Sequence, residues 1–392
     1  MYRLLRFLLV LALLVPSAVI AGHDVESHED EHGDHGPKKE LTPEEQRAKN
    51  TEFVKHHTQD SHDFGIFADE SEGKHYGFPL PVILWDEGLH MFMSSAFHHG
   101  EEIVESKGNF YKLDTHDGKI YKCDEHGVVL TQEVKETITK DITDEVTGEI
   151  KQVEIEEVSM VELLPLDFSI TKNVFVTMLM CLLLFFLFRG VAKSYKSGLA
   201  PSGSAKFFEP IIVFIRDEIA IPNIGEKAYK KYMVYLLTVF FFIWFLNLAG
   251  MTPLGINVTG NIAVTFTLAI FTFVITQATG KKDYWMHIFW MPGVPVPMKI
   301  MLIPIELIGL VVKPFALMIR LYANMLAGHI VLGSLLAVVF YFQSFGAKGA
   351  FIGLTFFMNI IELLVAVLQA YIFTMLTALY FGAAAATHEE AH

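Results

Sequence analysis

Cysteine is scarce in this sequence, and no nucleotide-binding loop is present. The 392 residues include two cysteines, Cys123 and Cys181. The first lies in a polar region and the second in an apolar run, so we expect no structural disulfide between them. The chain also lacks a Gly-x-x-x-x-Gly-Lys-Ser/Thr loop, and we expect no nucleotide site. We likewise expect neither a cofactor nor a resident metal ion, and no catalytic residue.

Negative charge is scarce after the first 167 residues. Of the 44 acidic residues, 35 lie at or before Asp167, and the formal net charge is -14. The sequence therefore indicates an acidic region in water, followed by an apolar region in a membrane. An acidic surface makes a nucleic-acid partner improbable.

The region before the membrane part divides into three segments. Residues 1–21 combine Arg3 and Arg6 with an apolar run and a small residue at Ala21, which predicts a cleaved signal peptide; a first transmembrane helix is the alternative. Residues 22–75 are acidic and rich in histidine, which predicts disorder, with weak metal binding by the histidines left open. Residues 76–165 alternate between apolar and polar positions around His116-Asp117-Gly118, which predicts a small β-rich extracytoplasmic module.

Long apolar runs predict an all-α polytopic membrane protein from residue 168 to residue 385, followed by a cytoplasmic tail at 386–392. Residues 173–188 are charge-free, and 232–280 contain no charge over a length too great for one helix. Two longer apolar segments, 300–340 and 351–382, predict a tilted helical hairpin, so that five helices cross the membrane. Lysine and arginine concentrate between the first and second spans, which predicts a cytoplasmic loop there, an external N-terminus and a cytoplasmic C-terminus.

Five ionisable residues lie inside these apolar segments: Glu306, Lys313, Arg320, His329 and Glu362. A permanent guanidinium charge in lipid costs about 3 kcal/mol or more unless it faces a polar cavity or a partner. Steps of seven residues place the first three on one helical stripe, which Asn324 extends.

His329 lies nine positions after Arg320, about 180° round the helix, and is expected to face another helix. Glu362, with Gln369 on nearly the same face, completes an acid and imidazole pair that can exchange protons. Structural ion pairing is the competing interpretation, with even weight for Glu306 and Lys313.

The string Arg320-Leu-Tyr-Ala-Asn-Met-Leu-Ala-Gly-His329, with Glu362-Leu-Leu-Val-Ala-Val-Leu-Gln369-Ala-Tyr-Ile-Phe, resembles the last two helices of subunit a of F-type ATP synthases. The resemblance covers about residues 168 to 385. It implies that Arg320 faces a rotating c ring and that Asn324, His329, Glu362 and Gln369 take part in proton transfer. In some bacterial members the histidine and glutamate positions are exchanged, and the exchange preserves the pair.

The same resemblance implies further residues and partners. Asn261 resembles a polar residue of the outer access channel, with Asn257 as an alternative, and Glu306 is a candidate to receive protons on the cytoplasmic side. The implied partners are the c ring, peripheral-stalk b subunits, the whole synthase complex, protons and the lipid bilayer. The implied location is a bacterial inner membrane. Nothing is implied for the long acidic N-terminal region.

Two other functions compete with this interpretation. A metal exporter fed by the histidine-rich tail would need paired His and Asp ligands at helical spacing in its spans, and these are missing from the sequence. An anion channel could use Arg320 as its selectivity charge, and it would work without a c ring.

Overall fold

The computed structural model describes residues 60–69, 74–114, 117–143, 150–195, 203–252, 256–290, 295–341 and 344–386. Contacts divide the chain into two compact units. One comprises Gln59–Ala68 and His75–Lys172, which we call the module. The other contains the described residues from Asn173 onward, which we call the membrane unit. The predicted signal peptide, the histidine-rich segment up to residue 59 and the tail after residue 386 lie outside the described residues.

The module is built from short antiparallel strands. The strands are β1 Asp63–Asp69, β2 Lys74–Pro79, β3 Pro81–Trp85, β4 Leu89–Met93, β5 Val104–Ser106, β6 Asn109–Leu113, β7 Ile120–Cys123, β8 Thr131–Thr143, β9 Ile150–Glu162 and β10 Leu166–Asp167, with a 3-10 helix at Ser94–Gly100. They form four sheets in the orders β1-β2, β10-β3-β4, β5-β6-β7 and β8-β9. The predicted β-rich region is therefore present, and its first strand lies before residue 76, within the segment whose composition predicted disorder.

Contacts of side chains in and next to β1 explain why this segment is folded. Phe64 is buried and stacks on Phe78, with ring centroids 4.9 Å apart. The buried His62 contacts Asp167 at 3.0 Å near the other end of the module. These two anchors act at long range, and a composition average over the acidic segment does not detect them.

The predicted hairpin at His116-Asp117-Gly118 joins β6 and β7, which pair from Phe110–Cys123 to Leu113–Ile120. Gly118 has a φ of 72° and donates its N–H to the Asp114 carbonyl at 2.8 Å. Positive φ carries little cost for glycine, so Gly118 suits this turn. Tyr111 and Ile120 of this hairpin pack with the sheet β10-β3-β4 in one small core.

The membrane unit is mainly helical in its described residues. Its helices are α1 Lys172–Tyr195, α2 Ser204–Phe214, a π-helical turn Ile215–Ala220, α3 Ile221–Ile224, α4 Tyr229–Gly250, α5 Ile262–Thr279, α6 Lys282–Phe289, α7 Val296–Tyr341 and α8 Phe345–Ala385. Five of them, α1, α4, α5, α7 and α8, are long and apolar enough to cross a membrane. The predicted class, an all-α polytopic membrane protein with a small β region, is confirmed.

Aromatic and aliphatic side chains of α1, α2, α4 and α8 form the core of the membrane unit. Phe188, Phe208 and Phe241 are in mutual ring contact, and Tyr232 stacks on Phe381 at 4.6 Å. A Cβ at Gly382 would collide with the Asn223 carbonyl, so this glycine lets α8 approach the backbone of α3 closely. Helix α8 is thereby fixed against the rest of the unit.

Helices α7 and α8 are longer than a bilayer requires. The 46 residues of α7 extend about 69 Å at 1.5 Å per residue, against about 30 Å for the hydrocarbon core. Pro304 and Pro314 lie inside α7, where each removes a backbone hydrogen-bond donor. A helix of this length must run obliquely to remain in apolar surroundings, as the sequence predicted.

Candidate functional site

Arg320 lies on the outer surface of α7. Its side chain is exposed, as is that of Ile319, whereas Leu317 and Leu321 are 1% exposed and pack inward. None of the ion pairs found among the described residues includes Arg320. A permanent charge is therefore presented outward from an apolar helix without a carboxylate partner in the described part of the chain.

Tyr380 of α8 lies next to Lys313 of the stripe. The Lys313 Nζ lies 5.8 Å from the centre of the Tyr380 ring, and a ring face attracts cations. Lys313 and Arg320 lie seven residues apart in one continuous helix, α7, and therefore share a face of it, as the spacing predicted.

One turn further along α7, Asn324 reaches α8. Its Nδ2 donates to the Gln369 Oε1 at 3.4 Å, and Gln369 is 4% exposed. The sequence predicted both residues as site candidates, and the structure joins them by a hydrogen bond between the two helices.

Glu362 lies buried where α8 passes Gly328 of α7. It is 9% exposed, and neither carboxyl oxygen has a hydrogen-bond partner within the described ranges. A Cβ built on Gly328 would lie 2.7 Å from the Glu362 Oε1. The missing side chain at Gly328 therefore makes the space that the carboxyl group occupies.

His329 follows Gly328 and points toward α4. A Cβ built on Gly250 of α4 would lie 3.5 Å from the His329 Nε2. His329 is half-buried, while Arg320 on the other side of α7 is exposed. The predicted half-turn between these two residues is therefore confirmed, and His329 lies next to the glycine that accommodates Glu362.

Asn247 of α4 was not predicted as a site residue. It is 2% exposed, donates from Nδ2 to the Ala366 carbonyl of α8 at 3.3 Å, and accepts at Oδ1 from the Thr259 hydroxyl at 2.9 Å. Asn247 thus links α4, α8 and the segment before α5. A polar residue in the uncharged run 232–280 is the sequence signal that points to it.

Two cavities lie beside these residues. The first, which we call the Glu362 cavity, is a small cleft lined by Asn247, Met251, Leu321, Asn324, Met325, Glu362, Val365, Ala366 and Gln369. The second, the Lys313 cavity, is also a small cleft and is lined by Ala269, Thr272, Phe273, Thr276, Gln277, Tyr284, Leu310, Lys313, Pro314, Leu317, Tyr380 and Ala383. Each contains polar groups in otherwise apolar walls.

The two cavities occupy different levels of α7. Residues from Leu310 to Leu317 line the Lys313 cavity, and residues from Leu321 to Met325 line the Glu362 cavity. Arg320 lines neither and lies between the two levels.

Glu306, the first residue of the predicted stripe, is half-buried and is not among the residues that line the Lys313 cavity. The Tyr284 hydroxyl donates to the Gln277 Oε1 at 3.2 Å, and both of these residues line the cavity. The predicted role of Glu306 in receiving protons stays a prediction.

Asn261 caps α5: its Oδ1 accepts from the Ala263 N–H at 2.9 Å. Its alternative, Asn257, is 4% exposed and packs tightly on Gly260. Neither is among the residues that line the Glu362 cavity. Asn261 has a structural role as a cap, and its predicted role in an access channel stays a prediction. In the described ranges, no three His, Cys, Asp or Glu residues are grouped to hold a metal ion.

Comparison with known proteins identifies the helical part of the chain. The family model described as ATP synthase A chain matches residues 160–382, which is more than half of the 392 residues. The chain belongs to the ATP synthase A chain family.

Several relatives have sequences similar to that of this chain. The chain is 46% identical over 235 residues to ATP synthase subunit a 2 of Chlorobaculum tepidum, covering 58% of this chain and 66% of that one. It is 44% identical over 230 residues to ATP synthase subunit a of Chloroherpeton thalassium, covering 57% and 68%. With subunit a of Chlorobium phaeobacteroides, strain BS1, it is 47% identical over 233 residues, covering 57% and 68%.

The module matches a different family model from the one that matches the membrane unit. Residues 53–144 match a family model described as a domain of unknown function, DUF8433. The ATP synthase A chain match begins at residue 160, after most of the module. The resemblance inferred from the two helical strings is confirmed as a family relationship, and the match covers the last residues of the module and the membrane unit up to residue 382.

One further residue of this ATP synthase A chain family member escaped prediction. Tyr380 lies eighteen positions after Glu362, which is about five whole turns, so both lie on the same face of α8. Continuing the face of Glu362 and Gln369 along α8 would have found it.

Proposed function

We propose that this chain performs the stator role of its family, subunit a of F-type ATP synthase, by passing protons to and from a rotating c ring through two separate cavities. The observation that carries the proposal is the position of Arg320, which is exposed, unpaired among the described residues and placed between the levels of the two cavities.

The Glu362 cavity is the proposed entry side. Glu362 is buried without a hydrogen bond from the described residues, so its carboxyl group is available to accept and release a proton. His329 follows Gly328, the residue that Glu362 contacts, and its imidazole faces Gly250. Imidazole is the side-chain group best suited to proton exchange near neutral pH. Asn324 and Gln369 continue the polar path from Glu362 toward the exposed face of α7.

Arg320 is the proposed barrier between entry and exit. A c-ring carboxylate that arrives at the exposed face of α7 would be held ionised by the guanidinium, because an opposite charge lowers the pKa of a carboxyl group. The same positive charge repels a proton that would cross directly from one cavity to the other. Each proton must then travel with the ring instead of leaking.

The Lys313 cavity is the proposed exit side. Lys313, Tyr284 and Gln277 supply polar groups there, and Glu306, seven residues before Lys313 on α7, is the proposed proton acceptor. Lys281 and Lys282 lie at the start of α6, next to this cavity, and basic residues are typical of the cytoplasmic side. We therefore propose that the C-terminus is cytoplasmic, that the module lies outside the cytoplasm and that the membrane is a bacterial inner membrane. Peripheral-stalk b subunits are further proposed partners. In this role the chain breaks no covalent bond.

Purification and reconstitution test this function. The chain should copurify with a c ring and a catalytic head, and the assembled complex in vesicles should acidify them when ATP is added, as a pH-sensitive dye reports. The chain alone should conduct no ions. Selective anion conductance by the chain alone in a planar bilayer would contradict the stator role and support the anion-channel alternative.

A further inference from the structure

One face of the sheet β10-β3-β4 in the module is apolar and exposed. Directly opposite residues on paired strands share a face, and the register here pairs Ile83 with Met91, Trp85 with Leu89, and Leu166 with Trp85. The members of this face are Pro81, Ile83, Trp85, Leu89, Met91, Met93 and Leu166. We call it the apolar sheet face, and it contains no charged residue.

The exposure of this face is large for a water-soluble surface. Trp85 is 54% exposed, Met91 63% and Leu166 62%. Phe168, which follows β10 and bonds to the Ile83 carbonyl at 2.8 Å, is 64% exposed. Contiguous apolar patches of this kind mark interaction sites in soluble proteins.

The opposite face of the same sheet already forms the core of the module. Val82 and Leu84 are fully buried there, and they pack with Phe97 and Tyr111. The apolar sheet face is therefore a second apolar layer, which the module does not need for its own core. It needs an occupant from outside the module.

The chain itself indicates what that occupant is. Beyond Phe168, Ile170 donates to the Pro81 carbonyl at 3.1 Å, and Lys172 donates to the Ser61 carbonyl at 2.9 Å. Lys172 is the first residue of α1, a candidate membrane span. The sheet is thus hydrogen-bonded to the chain up to the residue at which the span starts, without a free linker.

Chain geometry limits how far this face lies from lipid. Lys172 lies four positions after Phe168, and a fully extended chain covers at most about 14 Å over four residue steps. The headgroup zone of a bilayer is itself about 5–7 Å deep on each side. The side chains of α1, including Met178 at 52% and Leu182 at 54% exposure, remain open for lipid contact in the membrane unit.

We propose that the apolar sheet face binds the lipid surface where α1 enters the membrane, with Trp85, Met91, Leu166 and Phe168 in the headgroup region. Tryptophan is enriched at that depth because its ring is apolar and its N–H is polar. The absence of charge on this face suits a lipid surface of variable composition better than a specific polar interface. This binding is separate from proton transfer and concerns the module alone.

The test is spin labelling of the full chain in the assembled complex, reconstituted in lipid nanodiscs. Cys123→Ala and Cys181→Ala remove the native thiols, and Met91→Cys receives a nitroxide. Glu125→Cys, at an exposed position of the same module, is the matched control. Collision with oxygen, which partitions into lipid, is compared with collision with a water-soluble nickel complex.

The expected result is a severalfold lower nickel collision rate at position 91 than at position 125, with oxygen collision retained. Equal nickel collision at the two positions would show a face free in water and would overturn the proposal. Shielding of position 91 from both reagents would show a protein on this face, either another subunit or a second copy, and would overturn it as well.

Native fluorescence gives a second readout that does not depend on cysteine labelling. Lipids brominated near the headgroup should quench the emission that disappears in the Trp85→Phe variant, and the variant leaves the rest of the face intact. Emission from Trp85 that is insensitive to brominated lipid would contradict lipid contact, whatever the labelled variants show.

Discussion

The module and the membrane unit treat charge in opposite ways. In the module, Asp86 bonds to Lys122 at 2.8 Å and to the Tyr111 hydroxyl at 3.1 Å. In the membrane unit, Glu362 is buried without a hydrogen bond from the described residues, and Arg320 has no ion pair among them. The costlier environment thus holds the less satisfied charges.

This difference indicates a structural role for the paired charges of the module and a functional role for the unpaired charges of the membrane unit. A charge in water-accessible surroundings gains stability from any good partner, so pairing in the module needs no further explanation. A charge in apolar surroundings costs several kcal/mol unless it is neutralised. Its retention without a partner among the described residues fits the proposed function, in which a proton neutralises Glu362 and a ring carboxylate pairs with Arg320.

The largest effect is expected at Arg320. Arg320→Ala removes the barrier charge, so ATP-driven proton pumping by the assembled complex should be lost, as measured by dye quenching in inverted vesicles. Arg189→Ala, an exposed arginine near the end of α1, is the control and should pump normally. Near-normal pumping by Arg320→Ala would rule out the barrier role.

A second large effect is expected at Glu362. Glu362→Gln keeps the shape of the side chain but cannot exchange a proton, so proton flux should fall by about 100-fold, the lower end of the contribution of a positioned acid or base. Flux is measured at low driving force, where proton entry limits the rate. Glu218→Gln, exposed at the π-helical turn, should have no effect. Unchanged flux in Glu362→Gln would remove this residue from the path.

A smaller effect is expected from a methyl group at Gly328. In Gly328→Ala the new Cβ would press on the Glu362 Oε1, and the carboxyl group must move, so we expect proton flux to fall while the complex still assembles. Gly309→Ala is the matched control in the same helix, because nothing lies within 4 Å of its Cβ. That control should be neutral or gain up to about 1 kcal/mol in helix stability. Equal flux in both variants would show that the carboxyl position is not critical.

The smallest effect is expected in the module at Asp167. Desolvation opposes its ionisation, but hydrogen bonds from His62 and Ser169 hold the pKa of its carboxyl below the usual value. A lowered pKa in the folded state stabilises the fold above the unfolded pKa of about 3.9, and this contribution is lost as the pH falls through the folded pKa.

Asp167→Asn should therefore destabilise the module by no more than about 1 kcal/mol near pH 7, since the pair is partly exposed. Limited proteolysis of the module at pH 7 and at pH 3 measures this loss, which should shrink at the lower pH. Glu125→Gln is the neutral control. A destabilisation that grew on acidification would contradict the assigned pairing.

The sequence predicted the helices well because hydrophobic length is a local property. All five spans, the hairpin of α7 and α8, and the stripe through Lys313, Arg320 and Asn324 follow from runs and spacings alone. The sequence predicted fewer of the contacts between residues that lie far apart along the chain. The anchoring of His62 by Asp167, across 105 positions, and the link from Asn247 to Ala366 depend on the tertiary fold. Tyr380 was predictable in principle, from the face of α8, but an aromatic residue in an apolar helix carries no charge to draw notice.

The close approach of Gly382 to Asn223 has a mechanical consequence. In the proposed function, a ring turning past α7 exerts a sideways force on that helix, and α7 can transmit the force to α8 through their packed faces. At Gly382 the contact between α8 and α3 is with backbone instead of with a side chain that has rotatable bonds, so α8 yields little at this point. A bulkier residue at position 382 would push α8 away from α3. The stator would then bend under the force from the ring, and less of that force would turn the rotor.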